Sequence, residues 1–297
     1  MKAKFLKGNL TNYLFVVPAF ILFIVFVVYP IFYNIQASFL QWDGVNAGTN
    51  VGVDNYKKLA SDPIFHTTLI NSLLWMVFTI IPQSAIGFFL ALALNEKLHG
   101  RTIYRTLFFL PVVISPVVIG IAWQRLLDPF NGVISQLGKK LGVGFLSNNY
   151  LASNNSIFVV IFVNVWMWAG YSMLFYLAGL QQIDKSVLEA AKIDGASGFT
   201  LISKIIFPLL KPTHLALLLL SVIGSFKTFE LVYVMTEGGP NNASQMIPTY
   251  TFLAAFKLQQ VGYASAISVV LLILALAFAL GMVRIFGSGF ISGKEEK

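Results

Sequence analysis

An all-α integral membrane protein with six transmembrane helices is predicted by three features of this 297-residue sequence. They are its apolar bulk, its charge-free runs, and the placing of basic residues between those runs. Hydrophobic residues make up 57% of the chain and charged residues 11%, against about 25% charged in an average soluble domain, and mean hydropathy is +0.77. Asp, Glu, Lys and Arg are missing from Gly8–Gln41, Thr67–Asn95, Thr106–Gln124, Leu141–Ile183, Pro212–Phe226 and Leu258–Val283. Each core is near the ~20 residues a helix needs to cross a bilayer, the fifth only by continuing past Lys227. The predicted spans are 13–33, 68–94, 106–126, 156–178, 213–235 and 263–284.

Taken in order, the first span follows Lys2, Lys4 and Lys7, as a signal peptide would. Its apolar run of about 21 residues is longer than the 7 to 15 of a signal h-region, and no small-x-small cleavage site follows, so it reads as a span. The connection from Gln36 to His66 holds "VGVDNYKKLASDP", predicted as a short amphipathic helix with Asp54 as N-cap and Pro63 just beyond its end. Excess length in the second and fourth spans is accommodated by tilt or by interfacial ends. The connection Leu127–Asn155 is rich in Gly, Asn and Ser, as a solvated loop is, and "TEGGPNNASQM" between the fifth and sixth spans carries the same turn signals. No connection is large enough for a separate extracellular domain, so residues 1–297 read as one membrane domain. Pro18, Pro30, Pro82, Pro111 and Pro116 fall inside spans, where they bend or interrupt helices and leave carbonyls that neighbours or a watery cavity must satisfy.

The segment between the fourth and fifth spans, "SVLEAAKIDGASGFTLISKIIFPLLKP", is polar by comparison. Ser186 and Glu189 have the spacing of an S-x-x-E capping box that opens a helix. Gly195 is placed to stop it, and a second short helix from Ser197 to Phe207 is predicted to end at Pro208. The result is a helix-turn-helix unit over 184–212 with small alanines on one face.

Orientation follows from Lys and Arg. With the amino terminus inside, the inner segments hold thirteen: Lys2, Lys4, Lys7, Lys97, Arg101, Arg105, Lys185, Lys192, Lys204, Lys211, Arg284, Lys294 and Lys297. The outer segments hold six: Lys57, Lys58, Arg125, Lys139, Lys140 and Lys257. Both termini and the 184–212 loop are therefore expected in the cytoplasm. The net charge of +8 is a topology signal, and basic residues dispersed over both sides give no nucleic-acid surface.

Several chemistries are excluded. There is no cysteine, hence no disulfide, thiolate nucleophile or Cys-ligated metal. No GxxxxGK[ST], HExxH or GxSxG occurs, and no span holds a carboxylate pair. His66, His99 and His214 are isolated near span ends. No catalytic residue, metal site or cofactor is expected in this chain, and ATP-driven work would need ATP and Mg on another subunit.

Two helix faces are candidates for a solute path. In "NVWMWAGYSMLFY", Asn164, Met167, Trp168 and Tyr171 stand at i, i+3, i+4 and i+7 and share one face. An amide, two aromatic planes and a thioether suit a sugar, but Trp and Tyr also form interfacial belts and Asn can join helices. In the fifth span Ser221, Gly224, Ser225 and Thr228 form a second stripe, fit either for close helix packing or for room beside a substrate. Lys227 and Glu230 lie off that stripe. Intramembrane ions are costly and face a cavity or one another, and a mutual pair near the outer mouth is expected.

The chain resembles a known family at the 184–212 loop. "EAAKIDG", nine residues and then "IIFP" match the EAA loop of ABC importer permeases, with Glu189, Ala190, Ala191, Gly195, Ile205 and Pro208 at the family's spacing and Phe207 where Leu is usual. "PAFILFIVFVVYPIFYNIQASF", "VGVDNYKKL", "RTIYRTLFFLPVVISPVVIGIAW", "VMTEGGPNNAS" and "FKLQQVGYASAISVVLLIL" extend the likeness to the carbohydrate-uptake branch, which includes maltose-type and glycerol-phosphate-type permeases. The resemblance implies a type I ABC importer permease fold in a bacterial or archaeal cytoplasmic membrane. It also implies a second homologous permease, two cytoplasmic ATPase subunits docked on the EAA helices, and an external solute-binding protein. It favours the substrate reading of the Asn164 face, where maltose-type permeases make substrate contacts. A sugar or oligosaccharide is the expected cargo; a polyol phosphate such as glycerol phosphate is the alternative. An ion-coupled secondary transporter would be expected to carry acidic residues deep in its spans, a description that only Glu230 approaches.

Overall fold

The computed structural model describes residues 16–96 and 98–290. Residues 13–15 of the first span, and Lys2, Lys4, Lys7, Lys97, Lys294 and Lys297 of the charge pattern, lie outside the described residues. Among the described residues, four helices are long and apolar enough to cross a membrane alone, and two bent pairs reach that length only together.

Two compact units can be described. One comprises the described residues up to Asp62 together with Thr251–Leu272. Its α1, Val16–Ala37, buries none of its most apolar window. Residues Ile24–Val28 of α1 wind as a π-helix, and Tyr29 N–H reaches back to Ile24 O. The wider turn sits just ahead of Pro30, whose ring would collide with the carbonyl four residues back in a regular helix. The strands β1, Leu40–Gln41, and β2, Thr49–Asn50, pair antiparallel with Leu40 opposite Asn50. Then α2, Asp54–Ser61, is capped differently from expectation. Val53 is the N-cap residue, and Asp54 takes the first helical position, with its carboxylate 2.8 Å from Lys57 Nζ. Asn55 Nδ2 donates to the carbonyls of Ser38 and Leu40, each at 2.9 Å. Lys58 Nζ donates to Gln260 Oε1 at 2.8 Å and lies 4.4 Å from the centre of the Tyr263 ring.

The other unit comprises Pro63–Tyr250 and the described residues from Ile273. Pro63 opens α3, Pro63–Asn95, at the first helical position, where an N–H would have no partner within the helix. The expected third span is broken: α4, Arg101–Val113, and α5, Pro116–Leu126, meet at 97°. Pro116 disfavours helical backbone in the residue before it, and Ser115 stands at φ −55°, ψ 136°. The 127–155 connection carries α6, Val133–Leu141. The 27 residues of α7, Ser156–Gln182, follow, with 56% of their most apolar window buried, so α7 is the axis of this unit. Two glycines allow close packing on it. A Cβ on Gly87 of α3 would lie 2.5 Å from Ser172 Cβ, and one on Gly170 of α7 would lie 2.0 Å from the Phe108 carbonyl oxygen of α4. Small residues at membrane-helix contacts do this generally.

After α7 come α8, Lys185–Ile193, and α9, Gly198–Leu209. Pro208 does not end the second helix as expected. A π-helical stretch, Ile202–Ile206, precedes it just as another precedes Pro30, and the axis turns by 65° only at Leu210. The expected 213–235 span is likewise discontinuous. It consists of α10, Lys211–Lys227, and α11, Glu230–Thr236, separated by extended Thr228 and by Phe229 at φ −131°. The chain continues through α12, Ile247–Phe252, which runs on as a π-helical turn, Leu253–Lys257, and ends in α13, Val261–Phe290.

Two apolar clusters sit along α7. One gathers Trp75, Ile119, Val160, Val163, Met167, Leu231, Val232 and Met235; the other gathers Phe88, Ala91, Met173, Tyr176, Leu177, Ile206, Leu210 and Leu217. The loop after α11 is tied to α3 by Asn71, whose buried Nδ2 donates to the carbonyls of Asn242, Ala243 and Gln245 at 3.0–3.3 Å. Ser156 Oγ donates to Gly239 O at 2.9 Å.

Candidate functional site

Between the two clusters the middle of α7 faces a cavity of about 590 Å³, inside the ~300–1,000 Å³ range of ligand pockets. Its wall holds Asn164, Met167, Trp168 and Tyr171 from α7 and Ser221, Gly224, Ser225 and Thr228 from α10 and its end, together with Lys227 and Glu230. The structure therefore brings both polar faces into one site. Trp75, Thr79 and Gln83 of α3, Pro116 of α5, Leu220 and Leu231 complete the wall; the sequence marked Pro116 only as a helix-interrupting proline, and the others were not picked out. The available signal was the spacing of Trp75, Thr79 and Gln83, each four residues apart in an apolar helix.

The side chains differ in availability. Gln83 Nε2 donates to Ser172 Oγ at 3.0 Å, which orients its amide from α7. The Trp168 and Tyr171 rings meet edge to face, 5.7 Å apart at 86°. Met167 is 1% exposed, so most of its side chain belongs to the core. The hydroxyls of Ser225 and Thr228 donate to the carbonyls of Ser221 and Gly224 at 2.8 and 3.1 Å, leaving their oxygens to accept. A Cβ on Gly224 would meet nothing within 4 Å, so within this chain that glycine leaves room instead of making a close helix contact. The half-buried Asn164 amide has no hydrogen-bond partner among the described residues.

Lys227 and Glu230 are exposed on the cavity wall. The mutual pair expected from their spacing is not formed. Among the described residues the ion pair is Lys57–Asp54. Three residues apart would place the two on one helix face, but the helix ends at Lys227 and restarts at Glu230.

A larger recess of about 750 Å³ lies in the first unit, lined by Trp42, Asp43, Asn55, Lys58 and Tyr263 among others. Its polar groups are largely spent on each other. Asp43 accepts from the Val45 and Asn46 amides, and Asn55 and Lys58 are paired as described above.

The polar hairpin is built at its first corner by Asp184, not by the expected Ser186–Glu189 box. The Asp184 carboxylate accepts from Ser186 N–H at 2.8 Å. The Ser186 backbone and hydroxyl hold its pKa below the ordinary value, so the cap stays charged at neutral pH. Ser186 thus lies inside the first turn, and Glu189 is exposed. At the other corner Gly195 has φ +87°. Gly195 N–H bonds Lys192 O at 3.1 Å and Ala196 N–H bonds Ala191 O at 2.9 Å, the paired closure that a left-handed glycine permits. Ala190 and Pro208 are exposed, Ile205 is half-buried and Ala191 is buried. Ile193 and Phe199, at the tip, are 86% and 81% exposed. Apolar residues at the tip of a polar loop were a signal that the sequence reading passed over.

Residues 83–290 match the family described as binding-protein-dependent transport system inner membrane component. A probable ABC transporter permease protein of Bacillus subtilis, YurN, is 36% identical over 95% of this chain and 98% of its own length. A probable permease of a transport system for starch degradation products, AmyD of Thermoanaerobacterium thermosulfurigenes, is 30% identical over 92% of this chain and 93% of its own. The fold is similar, at a TM-score of 0.83 and 22% identity, to a chain of a bacterial alginate ABC transporter crystallised with an alginate pentasaccharide-bound periplasmic protein. That match covers 95% of this chain and 96% of that one.

Proposed function

Since the chain belongs to the family of binding-protein-dependent transport system inner membrane components, we propose that it forms half of the path by which an ABC importer takes a sugar or oligosaccharide across the cytoplasmic membrane. A second, homologous permease supplies the other half. Two cytoplasmic ATPase subunits supply ATP hydrolysis, and an external solute-binding protein delivers the cargo. The convergence of two polar helix faces on one cavity with an unpartnered Asn164 amide carries this reading. A sugar hydroxyl can both donate to and accept from an amide, and the C–H face of a pyranose can cover the Trp168 or Tyr171 ring. Lys227 on the wall would welcome a phosphate, but Glu230 on the same wall opposes an anion. A neutral sugar is therefore favoured over a polyol phosphate, in keeping with a relative named for starch degradation products.

Trp168→Ala removes a stacking surface and Asn164→Ala a hydrogen-bonding group, each at a cost of about 1–3 kcal/mol of substrate interaction. The expected outcome is a raised half-saturation concentration or a changed sugar preference, with assembly and basal ATP hydrolysis intact. A complex that melts early while half-saturation stays unaltered would refute the substrate role and make these side chains helix packing alone.

The EAA hairpin is the proposed ATPase contact, with Glu189, Ala190, Ala191, Gly195, Ile205 and Pro208 as its framework. The exposed Ile193 and Phe199 offer an apolar surface that a protein partner can cover. This requires the hairpin and both termini to be cytoplasmic. A chain without cysteine makes the test simple. With an impermeant maleimide on intact cells, Asn148→Cys should label, whereas His99→Cys and Thr200→Cys should label only after permeabilisation. The opposite pattern would overturn the orientation.

A further inference from the structure

His214 stands on α10 one turn beyond the 65° bend at Leu210, and both of its ring nitrogens are engaged. Nε2 lies 3.0 Å from the carbonyl oxygen of Phe207, near the end of the hairpin. A carbonyl only accepts, so Nε2 carries the proton, and in the neutral ring Nδ1 accepts from the Tyr176 hydroxyl of α7 at 2.8 Å. The imidazole also packs on the Phe207 ring with centroids 4.3 Å apart, on Tyr176 at 5.2 Å, and on Phe88 of α3 at 6.2 Å. Phe88 closes the group by meeting both Tyr176 and Phe207 edge to face, at 5.4 and 5.6 Å. One side chain thus joins the last turn of the hairpin to three membrane-spanning helices, at the place where the backbone itself bends.

We propose that His214 is a positioning residue for energy coupling: through Phe207 O on one side and Tyr176 on the other, it makes a displacement of the hairpin move α3, α7 and α10 as one body. This rests on the coupling role given to the hairpin above. A bend of two short segments at Leu210 would by itself be compliant, because two backbone torsions could absorb a push from the cytoplasmic side. The imidazole removes that compliance by bridging the bend from Phe207 to its own helix and anchoring the bridge to α7. A ring without nitrogens would fill the same space but could hold neither hydrogen bond.

The test uses the assembled complex with its ATPase subunits and Ser221→Cys as a single reporter in the cavity wall, its maleimide labelling rate being measured with and without ATP. In this parent, ATP should change the rate by about fivefold or more, the lower range of an ordinary coupling between two sites. His214→Phe and Tyr176→Phe should each keep ATP hydrolysis while bringing the change below about twofold, and the two together should do no more than either, since they cut one link. His214→Gln, whose amide supplies a donor and an acceptor, should recover part of the response. An undiminished ATP-driven change in both ring variants overturns the proposal. Should His214→Phe fail to assemble, Tyr176→Phe decides, because it leaves the imidazole, its bond to Phe207 and every ring in place. Glu189→Lys separates this idea from the one beneath it. If that variant loses the response and the ring variants keep it, His214 alone is dismissed; if Glu189→Lys keeps the response, the hairpin's coupling role falls.

Discussion

Replacing Gly170 by alanine should prevent the permease from accumulating in the membrane, and leucine there should be no better. A Cβ at this position would come within 2.0 Å of the Phe108 carbonyl oxygen. The obstacle is backbone, with no flexible side-chain end that could swing away. Relieving it means separating α4 from α7, the most buried helix of its unit, and so opening contacts along both. Overpacking in a close-packed interior costs about 1–3 kcal/mol, occasionally more, a large part of the ~5–15 kcal/mol that holds a typical domain together. Gly281→Ala is the matched control. A methyl group there meets nothing within 4 Å, and alanine is the better helix former by roughly 0.5–1 kcal/mol. Membrane abundance and the melting temperature of the purified complex check the pair. Normal abundance of Gly170→Ala would show that the α4–α7 contact is looser than described.

Charge reversal at Glu189 should lower uptake by about tenfold or more while leaving the permease in the membrane; tenfold corresponds to about 1.4 kcal/mol. Glu189 is exposed on α8 and the hairpin corners are made by other residues, Asp184 and Gly195. The fold therefore has little to lose, and a transport defect reports on the docking surface. Gly195→Asp should give the same phenotype by another route. Nothing obstructs a side chain there, but a φ of +87° is left-handed backbone that glycine adopts freely and a residue with a Cβ, Asp included, adopts less readily, so the turn between α8 and α9 should be strained. Normal uptake by both variants would remove the coupling assignment.

The apolar runs were legible because a helix is the way a single segment satisfies its own backbone in hydrocarbon. The same physics hides where such a helix is interrupted. Pro82 sits within the 33 residues of α3 and Pro111 within α4, whereas Pro116 marks a 97° break; three prolines in apolar surroundings look alike until neighbouring helices decide which carbonyls can be left open. The faces of Asn164 and Ser221 were readable as polar residues at helical spacing. Thr79 and Gln83 carry the same kind of signal, standing with Thr68, Ser72 and Trp75 at helical spacing on one buried face of α3, but the strong apolar character of the span as a whole hid it. Asp184 and Ser186 are both good caps two residues apart, and only the end of α7 at Gln182 fixes the register that puts Asp184 at the corner. The Lys227–Glu230 pair failed for a related reason: spacing predicts a shared face only along an unbroken helix.

If the hairpin transmits motion as proposed, the interruption at Thr228 and Phe229 decides whether α11 must stay in line with α10. A continuous rod from Lys211 to Thr236 would pivot as a whole and drag its outer end along. Here α10 is a rod of 17 residues, about 25 Å long at 1.5 Å per residue, so a tilt of about 10° shared by α3, α7 and α10 under the proposed coupling would sweep its Lys227 end through roughly 4 Å. Beyond the interruption, Leu231, Val232 and Met235 of α11 are fixed in the apolar cluster, and Gln124 of α5 donates to Val234 O at 2.7 Å. Under the proposed coupling the stroke would therefore reach the cavity wall at Ser221, Gly224 and Ser225, and the break at Thr228 and Phe229 would free α11 to follow α3 and α7, whose Trp75, Val160 and Met167 share its cluster, without staying in line with α10.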